Sequence, residues 1–209
     1  MLPRWPLNRL ALWGLAALVL AGGLTLGLWR APVPNQAIDA DPGEVCVVAP
    51  PTPFDPSAGL GLLEPRPVPK GARCPVCGMY PARTPEWAAQ AIFDNGDTQF
   101  FDSPVSLLTY LQDVGRYTRG RMAEQIAASF VRDTESGAWI NAMTALYVHG
   151  SSALGPMRAG NLPAFDSVVA AQRFAGLRGG HVLEFKQISP LLLQTLNGQR
   201  RHAHAKSLD

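Results

Sequence analysis

The stretch Arg73-Cys74-Pro75-Val76-Cys77-Gly78-Met79-Tyr80 brings two thiols and a thioether into six consecutive positions, Cys74 to Met79. Thiolates and thioethers are soft donors, and such donors select Cu(I) over hard cations. A Cys-x-x-Cys turn directs both sulfurs at one small volume. Four readings fit it: a redox dithiol, a structural disulfide, half of a zinc site, or a soft-metal site. Zinc takes four ligands, commonly from two such turns, and no second Cys-x-x-Cys is present. A redox dithiol usually opens a helix after a strand. This one follows a Pro-rich stretch and runs into Gly78-Met79.

Met79 tips the balance toward a metal. A core methionine is normally a gap-filler inside an apolar pattern, but Met79 sits in a turn with few apolar neighbours. Met157 has a similar setting within Gly150-Ser-Ser-Ala-Leu-Gly-Pro-Met-Arg-Ala-Gly160. Met122 and Met143 read as ordinary core or helix residues. His149 ends a predicted strand beside the Met157 loop, and imidazole also suits copper; a satisfied strand-end histidine is the alternative. His181 begins the last predicted strand, and His202 and His204 lie in a tail expected to be solvated. Cys46 reads as a bystander or as a partner for a stray thiol. Three cysteines are too few for a disulfide scaffold, and an odd count leaves at least one unpaired.

No catalytic set accompanies these donors. There is no Gly-x-Ser-x-Gly elbow, phosphate loop or His-Glu-x-x-His. Asp102 and Asp166 read as helix caps. The formal charge of +2 rests on Arg4, Arg9 and Arg30, which leaves residues 31–209 at −1. No basic field remains to argue for nucleic acid.

The elements that must position the donors follow from the remaining pattern. Residues 1–9 read as a cytoplasmic N-terminus and 10–30 as a transmembrane anchor or a cleaved signal. The 19 residues Ala11–Trp29 carry no charge, nearly enough helix for a hydrocarbon core of about 30 Å. Arginines precede the run and acids follow it, so the bulk of the chain is expected outside the cytoplasm. Residues 31–69 are Pro-rich and read as a semi-extended linker. The domain is expected over 70–190, with a tail over 191–209 in which Leu191 to Leu196 form a last helical turn and the residues from Arg200 are disordered.

Within the domain, 87–93 and 98–101 read as strands joined at Asp94-Asn95-Gly96-Asp97, since Asn-Gly readily takes positive φ. Asp102 or Ser103 caps a helix with Pro104 in its first turn, and 127–131 is a third strand. The order recurs: 142–149 is a strand, Phe165-Asp166-Ser167 repeats Phe101-Asp102-Ser103, a helix follows, and 181–185 closes as a strand after Gly179-Gly180. The expected fold is α+β, two tandem ββαβ units after an N-terminal transmembrane helix.

Several motifs occur together in one order: Cys77-Gly78-Met79, Phe100-Phe101-Asp102, Trp139-Ile-Asn-Ala142, Tyr147-Val-x-Gly-Ser151, Pro156-Met157 and Gly179-Gly-His-Val-Leu-Glu-Phe185. With them the chain resembles the NosL family, copper-binding accessory proteins of nitrous oxide reductase, from about residue 70 to 188. The resemblance implies two ββαβ units similar to organomercurial lyase domains. It implies Cu(I) binding in the periplasm and hand-over toward nitrous oxide reductase, with an ABC-type membrane complex as docking platform. The Cys-Gly-Met motif falls on Cys77, Gly78 and Met79, and the Pro-Met loop on Pro156 and Met157. Two positions depart from the pattern. Val19-Leu-Ala-Gly-Gly23 resembles a lipidation site without its cysteine, and Arg158 stands where a loop glycine is expected.

The resulting expectation is a membrane-tethered periplasmic Cu(I) chaperone, not an enzyme. Cu(I) would sit between Cys77 and Met79, Cys74 or Met157 would complete the shell, and His149 is a further candidate. The rivals are a copper carrier for another cuproenzyme, such as a terminal oxidase, a thiol–disulfide oxidoreductase using Cys74 and Cys77, and an interaction module with an inert disulfide.

Overall fold

The structure is a computed structural model that describes residues 49–158 and 161–206. The apolar segment over 10–30, Cys46 and the Val19–Gly23 stretch lie outside the described residues. Among those described, no helix is long and apolar enough to cross a membrane.

Strand β1 (Ala89–Phe93) is buried along its whole length, as is β2 (Thr98–Phe101). They pair antiparallel from Ala89↔Phe101 to Ile92↔Thr98, so the Asn95-Gly96 turn sets the register. Gly96 has φ +84°, and a Cβ there would lie 2.6 Å from Leu62; only glycine fits that turn under the chain that crosses it. The predicted strand starts late: Trp87 closes a 3-10 turn (Pro85–Trp87) and pairing begins at Ala89. Helix α1 (Pro104–Gln112) follows, capped by the Ser103 hydroxyl with proline in its first turn. A short helix α2 (Val114–Tyr117) leads to β3 (Ile126–Arg132), which pairs antiparallel on the other side of β1. A strand not expected from the sequence, β4 (Trp139–Asn141), extends the sheet to the order β2-β1-β3-β4.

The second sheet has the order β6-β5-β7. It contains β5 (Leu146–His149), β6 (Ala164–Phe165) and β7 (His181–Glu184), with helix α3 (Val168–Arg178) between β6 and β7, capped by Ser167. The continuous strand expected over 142–149 is broken. Asn141 ends β4 and turns the chain, its side chain accepting from the Met143 N–H at 2.8 Å. The buried Tyr147 hydroxyl then donates back to the Ala142 carbonyl at 2.7 Å.

One core joins Phe93, Phe101, Leu107, Tyr110, Tyr147 and Leu162, and it includes Cys74. A smaller cluster gathers Val148, Phe165, Ala170 and Ala171 under α3. Helix α4 (Pro190–Lys206) buries Leu193 and Leu196 in the main core, and Asn197 donates to Thr109 of α1. This helix replaces the single helical turn and disordered tail expected past Pro190. Met122 and Met143 are also not core residues, being 62% and 50% exposed.

The Pro-rich residues 49–69, expected as a linker standing apart, are docked on the first sheet. Thr52 exchanges both backbone hydrogen bonds with Thr98, each 2.8 Å. The buried Gln90 amide exchanges hydrogen bonds with the Arg66 backbone, and Gln99 donates to the Ala49 carbonyl. Proline blocks a continuous ladder, but Thr52 has its own N–H, and buried glutamines on β1 and β2 supply the other partners.

Asp133 joins the two sheets. It bridges to Ala164 of β6, and Thr134 N–H donates to the Ala164 carbonyl at 2.8 Å. Its carboxylate accepts from the Ser136 N–H and hydroxyl and from the Asp166 N–H. Burial alone would raise this carboxyl's pKa, but the Ser136 and backbone donors together hold it below the ordinary value. A depressed carboxyl contributes stability above its unfolded value of about 3.9 and loses it as pH falls through the folded value. Asp133→Asn is therefore expected to cost about 2 kcal/mol near neutral pH. Its loss of stability from pH 5 toward pH 2 should be shallower than the wild type's, read by urea denaturation across that range.

Candidate metal centre

Residues 74–79 form a closed loop. The Cys74 N–H donates to the Met79 carbonyl at 2.9 Å, and the Gly78 N–H donates to the Cys74 carbonyl at 2.8 Å. Closing it requires a left-handed residue, and Gly78 supplies φ +76°. Tyr80 fixes the exit: Arg73 and Arg83 both stack on its ring, at 4.6 and 4.8 Å, and Arg73 also donates to its hydroxyl.

The loop is seated by its cysteines. Cys74 is fully buried in the main core, and Cys77 is half-buried against it. Cys74 is a free thiol. The Cys77 thiol donates to the Asp102 carboxylate at 3.1 Å, and the Ser106 hydroxyl approaches the same sulfur at 3.9 Å. Asp102 is completely buried between the end of β2 and the start of α1. The two sulfurs and an Asp102 oxygen all lie within 4.8 Å of one another, the only cluster of three or more such donors among the described residues. Two soft sulfurs beside one hard oxygen can hold a thiophilic ion, with the carboxylate placed to receive the thiol proton that metal binding releases.

Asp102 is the site residue that sequence reasoning missed. Ser103 does the capping, which leaves the neighbouring carboxylate for the thiol. The repeat itself held a signal: Asp166, its counterpart in Phe165-Asp166-Ser167, is exposed, whereas Asp102 is sealed in.

The other expected ligands are placed as follows. Met79 is half-buried, with its backbone closing the loop on Cys74. Met157 is half-buried in the turn that precedes Arg158. Neither methionine belongs to a described hydrophobic cluster. Arg158 has φ +57°, the only positive φ of a non-glycine residue among those described. It thus takes the backbone conformation that a glycine would adopt freely, at a cost of about 1–2 kcal/mol. His149 lies outside the thiol cluster. It ends β5 directly opposite His181, with the two facing ring nitrogens 3.4 Å apart. Burial, and then the neighbouring His181, lower its pKa, so the ring is neutral at neutral pH.

Against known proteins, the NosL family profile matches residues 65–193. A curated relative, the copper-binding lipoprotein NosL of Stutzerimonas stutzeri, is 31% identical over 147 residues, covering 68% of this chain and 77% of the relative. The crystal structure of the copper chaperone NosL from Shewanella denitrificans superposes with a TM-score of 0.51 at 23% identity. That match covers 62% of this chain and 98% of that one, and it speaks for the mixed α/β fold alone. The profile spans most of the chain, and it includes the Cys74–Met79 loop, both sheets and the Pro156-Met157 turn. With the homology over two thirds of the sequence, this places the chain in the NosL family.

Proposed function

We propose that this chain is a membrane-tethered Cu(I) chaperone that passes copper to nitrous oxide reductase through an ABC-type maturation complex. The observation that carries the reading is the convergence of Cys74, Cys77 and Asp102 within 4.8 Å, beside a methionine in the same closed loop. The kinship to a relative named copper-binding supports it. In this reading Cu(I) is cargo. It displaces the Cys77 proton toward Asp102 and binds the thiolate, Met79 and either Cys74 or Met157. A partner's soft donors then replace these ligands one at a time. Cys77 is accessible enough to begin that exchange, whereas Cys74 is not, so the outer sulfur is the one a partner meets first.

The order of units along the sequence, β1-β2-α1-β3 and β5-β6-α3-β7, supports a duplicated ββαβ origin with β4 added to the first sheet. Tethering follows the family habit, in which a relative is a lipoprotein; here the apolar segment over 10–30 would act in place of a lipidated cysteine.

A thiol–disulfide oxidoreductase remains a second reading, favoured by two cysteine sulfurs in one cluster. An attacking thiol must be reachable, and the first cysteine of this pair is the buried one. Insulin reduction abolished by Cys74→Ser and indifferent to Met79→Leu would establish that reading instead.

Anaerobic Cu(I) titration of the reduced chain against a chromophoric chelator tests the chaperone. About one tight equivalent is expected, with affinity falling about a hundredfold or more in Cys77→Ser and clearly in Met79→Leu. Uptake unchanged in both variants would remove the proposal. Asp102→Asn is expected to keep the stoichiometry and cost less affinity than Cys77→Ser, because a carboxylate oxygen is a hard donor; equal losses would make Asp102 a ligand. Mass spectrometry of membrane-extracted protein should find the segment over 10–30 intact.

A further inference from the structure

The histidine pair at the end of the second sheet is not absorbed by the copper reading. His149 and His181 are register partners on adjacent antiparallel strands, so the backbone pairing holds their Cα atoms opposite each other. The rings meet edge to face with centroids 5.1 Å apart, and Nδ1 of His149 faces Nε2 of His181 at 3.4 Å.

We propose that His149 and His181 form a second cation site, distinct from the thiol cluster, for a borderline divalent ion of tetrahedral preference, with Zn2+ as its type. The spacing carries this. Imidazole nitrogens bind zinc at about 2.0–2.1 Å, and at a tetrahedral angle two of them stand about 3.3–3.4 Å apart. A square-planar ion, with a right angle between ligands, would need them closer, at about 2.9 Å. The observed 3.4 Å has the tetrahedral bite.

The surroundings keep the pair in place and open. Gly180, next to His181, has φ +93°, and a Cβ there would lie 2.5 Å from the His149 carbonyl. Only glycine fits where the two paired strand ends meet. His149 is half-buried and His181 exposed, so a hydrated ion can reach both rings. The Ser151 hydroxyl, two residues beyond His149, is buried without a hydrogen-bond partner. No third His, Cys, Asp or Glu ligand completes the cluster among the described residues, so water fills the remaining positions and the site is one of exchange.

The protonation balances simply. Without metal, one of the facing nitrogens carries the proton shared between the rings. With metal, His149 holds its proton on Nε2 and His181 on Nδ1, and two imidazole lone pairs replace two waters of the hydrated ion. Binding through the two facing nitrogens thus moves the shared proton to a remote ring nitrogen and changes the tautomer. Nitrogen donors are borderline and sulfur donors soft. The two sites therefore sort cations by type, a monovalent soft ion to the loop and a divalent one to the strand ends.

The test is side-chain 15N NMR of the full chain in detergent micelles during titration with Zn2+. The His149 Nδ1 and His181 Nε2 signals are expected to move to metal-bound positions in step, after any uptake by the thiols. His181→Gln, an exposed substitution, should weaken the His149 response at least about tenfold, since one of two protein ligands is gone. Rings that respond at different Zn2+ concentrations, a His149 response untouched by His181→Gln, or a response confined to His202 and His204 would each overturn the site.

Discussion

The hydrogen bond from the Cys77 thiol to the buried Asp102 carboxylate ties a surface loop to the interior of the molecule. A buried carboxylate needs partners, and here one of them is the sulfur that the site must present. Ser103 makes this possible by taking over the cap of α1. The same few residues thus end a strand, start a helix and position a thiol. Cys74 anchors the other end of the loop in the core, among residues contributed by both sheets. The loop is short and closed by its own backbone, so fixing two sulfurs fixes Met79's backbone with them.

Much of this was legible in the residues. Asn95-Gly96, the helix start at Ser103-Pro104 and the stop at Gly179-Gly180 each act through local chemistry, and each falls where the pattern put it, whereas the second helix is capped by Ser167 and not by Asp166. The misses share a different character. Which of two adjacent residues, Asp102 or Ser103, would cap and which would be buried depends on what packs above them, namely a loop 25 positions earlier in the chain. The break at Ala142–Ala145 comes from a side-chain turn at Asn141 and a long-reaching tyrosine hydroxyl, neither of which alters the apolar alternation. The length of α4 comes from packing of Leu193 and Leu196 against the main core, which periodicity around Pro190 alone did not reveal. His149 read correctly as a strand-end residue, but its neighbour across the sheet is fixed only by register.

Arg158 shows how a departure from a family pattern can be absorbed. Its backbone keeps the left-handed turn that a glycine would have taken. The left-handed turn is kept at an energetic cost, and a cation is added beside Met157.

The strip of chain laid along β2 has a further effect. An outermost strand normally offers a row of unsatisfied amides to any passing polypeptide. Here Thr52 occupies Thr98, and the facing glutamines are spoken for by Ala49 and Arg66. At the opposite margin β4 is only three residues long and carries Trp139 under the Arg132 guanidinium. The first sheet is in this way closed to polymerisation at one border and poorly suited to it at the other. Copies of the chain can therefore crowd together without stitching edge to edge.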